Sequence, residues 1–152
     1  MIQHLAVQMR AAIAEHADRP ATRIRVGDDW CTHTFREFGE RIDEAAQGLL
    51  NRGIRPGDRI GLFANNCPEW SEIDFGAATV RAIPVPIYAT STPEQIRHIA
   101  ADSGLRILFA GGRSECERVL EVADDLPELE HLVILEPWEG MPERVITYGD
   151  FR

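Results

Sequence analysis

Short apolar runs alternate with helix-like segments through the second half of the chain. The runs are rich in branched aliphatic side chains, are bounded by turn-forming residues, and cover residues 59–64, 83–87, 106–110 and 131–135. Strands that alternate with helices form βαβ units, in which the strands lie parallel and are joined by right-handed crossovers. The pattern therefore predicts an α/β fold over residues 58–135, with a largely parallel sheet that carries helices on both faces.

The segments between the strands carry helix signals. Helices are predicted over 68–81, over a segment that Thr92 caps and Gly104 closes, and over 113–125. Pro93 fits the first helical position, where its missing N–H would have had no partner. Pro84 and Pro86 remove backbone N–H donors from the predicted strand over 83–87, and so favour a sheet edge or an irregular end for that strand. The order of the strands does not follow from the pattern.

The N-terminal part follows a different plan. Apolar residues at helical spacing predict an amphipathic helix over 2–17, and partial alternation around the turn at Gly27 predicts a β-hairpin over 21–33. Thr34 and Glu37 fit a capping box that begins a helix over 34–53, with Gly53 as its stop. The tail from Thr147 has the pattern of a first helical turn.

Charge and composition exclude several function classes. The formal net charge is −9 and no basic cluster is visible, which argues against nucleic-acid binding and against attachment to anionic lipid. No apolar run approaches the roughly 20 residues of a transmembrane helix, and the first residues lack a secretory pattern. Cys31, Cys67 and Cys116 are too widely spaced for a metal site and are expected to be reduced, mostly buried thiols. The expected location is cytoplasmic.

Few residues invite a catalytic interpretation. Gly111 and Gly112 follow a strand and open a helix, where a phosphate could bind, but the segment lacks the remaining glycine or lysine of known phosphate loops. A plain βα turn is the favoured interpretation. His98 is expected to be a surface or interface residue. The remaining histidines, His4, His16, His33 and His131, have no acid or nucleophile at a telling spacing.

Other polar and aromatic pairs are assigned structural roles. The pairs Asp43–Glu44 and Glu69–Glu72 are expected on the solvated faces of helices. Trp70 and Phe75 are expected in the core, because they lie at helical spacing with apolar neighbours. The residues alone therefore predict no catalytic, cofactor-binding or metal-binding side chain in this chain.

Three stretches resemble the N-terminal part of the AMP-forming adenylating enzymes, and the long-chain fatty acyl-CoA synthetases among them. They are 57–70 (GDRIGLFANNCPEW), 81–88 (RAIPVPIY) and 89–96 (ATSTPEQI), with a further match at 102–109. Tyr88 stands where the amino-acid-activating members tend to carry Asp. Two positions depart from the family pattern: Ala82, where Gly is frequent, and Cys67, which is often polar or basic. The resemblance covers roughly residues 20–152.

The resemblance implies an enzyme that converts ATP, a fatty acid and CoA into acyl-CoA, AMP and pyrophosphate, with Mg as a further cofactor. The family's phosphate loop, its ribose-binding Asp, its acyl pocket and its C-terminal lysine have no counterpart among these residues. The chain, taken as one unit over 1–152, is therefore expected to be a scaffold segment that is inactive alone. Its expected partners are the remainder of the parent enzyme, the fatty acid substrate in that parent, and possible further copies of itself in a homo-oligomer.

Two readings from other classes stay open. The chain could be a freestanding doubly wound α/β module that binds a ligand at the carboxyl ends of its strands. It could also be a non-catalytic interaction domain. The length of the parent reading frame would distinguish both of these readings from a segment of an acyl-CoA synthetase.

Overall fold

A computed structural model describes residues 4–152. Its N-terminal part contains helix α1 (Leu5–Glu15), strands β1 (Pro20–Val26) and β2 (Asp29–Thr34), and helix α2 (Phe35–Asn51). The two strands form the predicted antiparallel hairpin around Gly27.

The remaining elements build the sheet and its covering helices. In chain order they are β3 (Arg59–Phe63), α3 (Pro68–Val80), β4 (Ile83–Ile87), α4 (Pro93–Ser103), β5 (Ile107–Ala110), α5 (Arg113–Leu120), a 3₁₀ turn (Ala123–Asp125), β6 (His131–Ile134), β7 (Val145–Thr147) and α6 (Tyr148–Phe151).

The sheet has five strands in the order β4-β3-β5-β6-β7, and every pairing in it is parallel. This confirms the predicted fold class and all four predicted strands. Strand β7 was not predicted. It is three residues long, which is shorter than the runs that periodicity can detect.

Side chains from the strands fill two apolar layers, one on each face of the sheet. One layer packs under α2, α3 and α6 and contains Ile60, Leu62, Ile107, Phe109 and Val133. The other packs under α4 and α5 and contains Phe63, Leu108, Ala110, Leu132 and Ile134. Successive residues of a strand point to opposite faces, so each buried strand serves both layers.

Helix signals in the sequence correspond to caps in the structure. The Glu37 N–H donates to Thr34 Oγ1 at 3.2 Å, while the Thr34 N–H donates to Glu37 Oε2 at 2.7 Å. Gly53 and Gly104 adopt positive φ angles of 71° and 58° just after α2 and at the end of α4. The tail predicted to begin a helix does so, since Thr147 caps α6.

Two predicted helices end earlier in the structure than the sequence pattern indicated. Helix α1 lies within the predicted range 2–17, but Ile2 falls outside the described residues, and no residue of α1 is fully buried. The predicted helix over 113–125 ends at Leu120 and continues as a 3₁₀ turn.

The cysteine prediction was wrong for one residue. Cys116 is buried and Cys67 is half-buried, but Cys31 is exposed. Cys31 lies on the two-stranded hairpin, which has no second layer to cover all of its side chains. None of the helices within residues 4–152 combines the length and the apolar character needed to cross a bilayer.

Arg106 fixes the amino-terminal edge of the sheet. Its Nη1 donates to Asp58 Oδ2 at 2.6 Å and to the Gly53 carbonyl at 3.0 Å, and its Nε donates to Glu130 Oε1 at 2.8 Å. One guanidinium therefore joins the turn before β3 to the segment before β6. The opposite, carboxyl-terminal edge carries the polar loops described below.

The outer edge of β4 lacks donors at two positions. The Ile83 N–H points into the sheet and donates to the Asp58 carbonyl at 2.8 Å. Backbone N–H groups alternate sides along a strand, so positions 84 and 86 face away from β3, and both are proline. This confirms the edge position that the prolines predicted. It also leaves an edge that offers acceptors without donors, which is a poor template for a further strand.

Restoring the two donors should promote association through this edge. We expect the double variant Pro84→Val, Pro86→Val to form larger species with rising concentration, whereas the exposed-loop control Pro142→Val behaves like the parent chain. Sedimentation velocity over a concentration series measures this. Identical profiles for the double variant and the parent chain would show that the prolines do not guard the edge.

Candidate functional site

Polar loops gather at the carboxyl-terminal edge of the sheet. The loop after β3 carries Asn65 and Asn66, the loop after β4 begins with Tyr88, and the loop after β5 carries Gly111 and Gly112. The chain leaves β3 towards β4 on one side and leaves β5 towards β6 on the other. The crevice between β3 and β5 is thus the topological switch point, where open α/β sheets bind their ligands.

The larger of two neighbouring cavities lies beside β3 and β4. It has a volume of about 410 Å³ and is lined by the carboxamides of Asn65 and Asn66, the rings of Trp70 and Tyr88, and Pro86, Ile87, Ala64 and Ala89. None of the lining residues is charged. The Tyr88 side chain is 86% exposed. The sequence contained a usable signal here, since two consecutive asparagines directly follow a buried strand.

The second cavity, of about 180 Å³, lies at the switch point itself and is acidic. Its lining joins Asn65, Asn66 and the Gly111–Gly112 backbone to three carboxylates, Glu69, Glu115 and Glu136. The Gly112 N–H donates to Glu115 Oε2 at 3.1 Å, so the first free amide of α5 already has an anionic partner. Glu115 is held in turn by Arg118, whose Nη2 donates to Glu115 Oε1 at 3.0 Å.

This crevice does not fit a polyphosphate. Three carboxylates repel an anion, and the helix terminus that would bind a phosphate is occupied by Glu115. Arg118 is engaged with Glu115 and also donates to the Ser91 carbonyl at 2.7 Å. All 16 basic residues of the chain are arginines, so it has no lysine to place beside a phosphate. The lining of the crevice is therefore chemically unfavourable for a polyphosphate.

Cys67 lines the second cavity with a thiol of low nucleophilicity. It precedes the first turn of α3, and burial is the main cause that raises its thiol pKa to about 11. The neighbouring Glu69 carboxylate acts in the same direction. At neutral pH the group is a neutral thiol, whereas nucleophilic chemistry requires the thiolate.

His98 lies away from the switch point. It is exposed on α4 and borders an open depression of about 510 Å³ that Tyr88, Glu94 and Gln95 also line. Asp43 and Glu44 form surface ion pairs on α2: Asp43 with Arg10, and Glu44 with Arg152 at 2.9 Å.

Two aromatic side chains are less buried than predicted. Trp70 and Phe75 are half-buried, and Trp70 packs against the core layer of α2 and α3 with one part while lining the larger cavity with another. Phe75 meets Phe38 edge to face, with ring centroids 6.0 Å apart. Helical spacing identified the inward side of α3, but it could not show that the start of this helix borders a cavity.

The prediction for Glu72 was wrong. Its side chain is 1% exposed and lies between α2, α3 and α6, whereas the pattern placed it on a solvated face. Burial is the main cause that raises the pKa of its carboxyl above the ordinary value, and the nearby Arg41 only partly offsets this. Nothing in the local pattern of α3 shows that α6 covers this face.

Within residues 4–152, no group of three or more His, Cys, Asp or Glu side chains is placed so that it could hold a metal ion.

Comparison with known proteins identifies relatives along most of the chain. The sequence profile described as AMP-binding enzyme matches residues 9–147. The long-chain-fatty-acid–CoA ligase FadD15 of Mycobacterium bovis is 36% identical over 104 residues, which are 68% of this chain and 17% of the relative. The long-chain-fatty-acid–CoA ligase heimdall of Drosophila melanogaster is 30% identical over 122 residues, 80% of this chain and 18% of the relative.

Solved structures share the fold. Coronafacic acid ligase from Pectobacterium brasiliense superposes with a TM-score of 0.84 at 15% identity, over 98% of this chain and 29% of that one. The long-chain-fatty-acid-CoA ligase FadD1 from Archaeoglobus fulgidus gives a TM-score of 0.77 at 21% identity, over 90% of this chain and 28% of that one. The chain thus spans less than a third of the length of each of these relatives and structures.

Truncating Trp70 should cost less than the loss of a fully buried tryptophan. We expect Trp70→Ala to lower the free energy of unfolding by about 1–3 kcal/mol, below the roughly 3–5 kcal/mol of a complete core truncation, because part of the ring already faces a cavity. Trp30→Ala is the control, since Trp30 is 55% exposed and should cost under about 1 kcal/mol. Urea unfolding of both variants measures their losses of unfolding free energy. Equal costs would mean that Trp70 is not part of the core layer.

Proposed function

Because the chain belongs to the family of AMP-binding enzymes, we propose that it forms the N-terminal scaffold of a long-chain fatty acid–CoA ligase. Such an enzyme first joins the fatty acid to AMP with release of pyrophosphate, and CoA then displaces AMP. The observation that carries the proposal is the match over residues 9–147, together with relatives that are named long-chain-fatty-acid–CoA ligases.

The scaffold role is supported by what the carboxyl-terminal edge offers. The phosphates of ATP and CoA need cationic and amide donors, and the crevice at the switch point presents three glutamates and an occupied Gly112 N–H. We therefore assign the binding of these groups to residues outside the 152. The contribution of this chain, taken as one unit, is a sheet buried on both faces that holds the loops after β3, β4 and β5 in fixed positions.

The same proposal covers partners and location. Ile83 and Tyr88 expose large apolar side chains along β4 and its following loop, and the remainder of the enzyme is the partner we propose for them. A further copy of the chain is the alternative partner. A cytoplasmic location is supported by the free, exposed thiol of Cys31, since exposed unpaired thiols persist in reducing compartments.

A freestanding binding module is the second candidate function. The uncharged cavity of about 410 Å³ at the ends of β3 and β4 favours it, because its size suits a small ligand. The two candidate functions differ in whether the cavity can bind a ligand without the rest of the enzyme. A module would bind its ligand with these residues alone, whereas a scaffold would need the rest of the enzyme.

The isolated chain should not catalyse adenylate formation. We expect no fatty-acid-dependent exchange of labelled pyrophosphate into ATP, because the phosphate-binding groups are missing. The full-length FadD15 relative serves as the positive control. Exchange above background by the purified chain would contradict the scaffold assignment.

Exchange of segments tests the family role itself. Replacing the aligned stretch of FadD15 by this chain should preserve measurable acyl-CoA formation if the residues act as scaffold. The matched control carries Gly76→Ala, which would place a Cβ 2.9 Å from the Ala45 Cβ and force α2 and α3 apart. We expect that control to lose most of the activity. A folded but fully inactive chimera with the unaltered segment would count against the proposal.

A further inference from the structure

Glu72 lies at the centre of a buried polar contact that joins three helices. Tyr148 of α6 donates its hydroxyl to Glu72 Oε2 at 3.3 Å, and Arg41 of α2 approaches Glu72 Oε1 with Nη1 at 3.4 Å. The Glu72 and Tyr148 side chains are buried, whereas the Arg41 side chain is 33% exposed. We call Arg41, Glu72 and Tyr148 the clasp.

The lengths of these contacts describe a weakly paired carboxyl group. Hydrogen bonds to an ionised carboxylate are usually about 2.7–2.9 Å long from a guanidinium and about 2.5–2.7 Å long from a hydroxyl, and both clasp contacts are longer. An unpaired charge in a buried site is strongly unfavourable, so such a group tends to take up a proton instead. The Arg41 guanidinium only donates, so the acid proton of a neutral Glu72 belongs on Oε2, and the hydrogen bond with Tyr148 then reverses, with the Tyr148 oxygen as acceptor.

Charged groups approach the clasp from every packed element. On α3, Glu69 lies one turn before Glu72 and opposes its ionisation, while Arg152 beyond α6 favours it. On α2, Glu44 engages that same Arg152 at 2.9 Å.

The hairpin contributes His33. Its Nε2 lies 3.2 Å from Arg41 Nη2, which draws part of that guanidinium away from Glu72.

We propose that Glu72 is a proton-operated latch, which docks α6 tightly on α2 and α3 when it carries a proton and loosens α6 when it loses it. The steric fit of α6 makes it responsive to such a change. A Cβ at Gly48 of α2 would lie 2.5 Å from the Phe151 carbonyl oxygen, so α6 rests directly on the α2 backbone. Arg52 of α2 adds a hydrogen bond to the same carbonyl at 2.8 Å.

The sign of the pH effect follows from the direction of the pKa shift. Burial raises the pKa of Glu72 in the folded chain, so the native state binds the proton more strongly than the unfolded state does. Stability from this group is fully present below the ordinary Glu value of about 4.3 and is lost as pH rises through the higher native value. Asp74 is also shifted upwards by burial and acts with the same sign.

Comparison with Glu72→Gln isolates the latch, because glutamine imitates the protonated acid at every pH. We expect the unfolding equilibrium constant of the parent chain, divided by that of Glu72→Gln, to rise with pH by up to tenfold per unit and then level off. Urea unfolding from pH 5 to 9 gives this ratio, in which the contributions of Asp74 and of the other titrating groups cancel. Amide exchange of residues 145–152, corrected for its intrinsic pH dependence, should follow the same curve.

Three variants separate the latch from a merely structural role. Glu69→Gln removes a like charge that raises the pKa of Glu72, so its pH-dependent loss of stability should level off at lower pH than in the parent chain. Tyr148→Phe removes a hydroxyl that favours the ionised form, so its pH-dependent loss of stability should extend to higher pH. Gly48→Ala displaces α6 without changing a titrating group, so exchange of α6 should be fast at every pH.

The proposal is overturned by a parent-to-Glu72→Gln ratio that is flat or falls with rising pH, since Glu72 would then be an ionised partner of Arg41. A Glu72→Gln chain that does not fold at any pH would overturn it equally, because a neutral carboxyl and a carboxamide should be interchangeable in the latch.

Discussion

Strand β5 has apolar layers on both of its faces, and all four of its residues are buried. A parallel sheet is stable only when both faces are covered, because neither face can be left to water. The need to cover both faces explains much of the remaining structure: α2, α3 and α6 cover one face of the sheet, and α4 and α5 cover the other. It also directs the loops to the sheet edges, where polar side chains can remain solvated. The site and the clasp are both consequences of this two-sided burial.

The two edges of the sheet have opposite electrostatic characters. At the amino-terminal edge, Arg106 neutralises Asp58 and Glu130 within a network of short hydrogen bonds. At the carboxyl-terminal edge, three glutamates surround the crevice, and the helix terminus between them is already bonded to one of them. An adenylating enzyme needs positive groups at its phosphates, which is why we propose that this edge supports the loops of an active site without supplying its chemistry.

The sequence carried enough information for the fold but not for the details of the site. Capping pairs such as Thr34–Glu37 and closing glycines such as Gly104 are local signals, and the helices they bound were predicted correctly. Burial across elements is not local: Glu72 has an ordinary helical position, and it is buried by contacts with α2 and the distant α6. The same reason applies to Trp70, because its exposed side depends on where the loop after β4 lies. The short strand β7 has too few residues for a periodic signal, and its place follows from pairing with β6.

The central claim is that these residues form a scaffold whose crevice does not hold the nucleotide. An NMR titration of the ¹⁵N-labelled chain with ATP and Mg²⁺ tests it most directly, because the amides of Gly111 and Gly112 report on the start of α5. The account predicts that these two amide resonances stay unchanged at millimolar ATP, since Glu115 occupies the Gly112 N–H and Glu136 lies nearby. A saturable shift confined to Gly111, Gly112 and the asparagines after β3 would contradict it and would identify a nucleotide site within this chain.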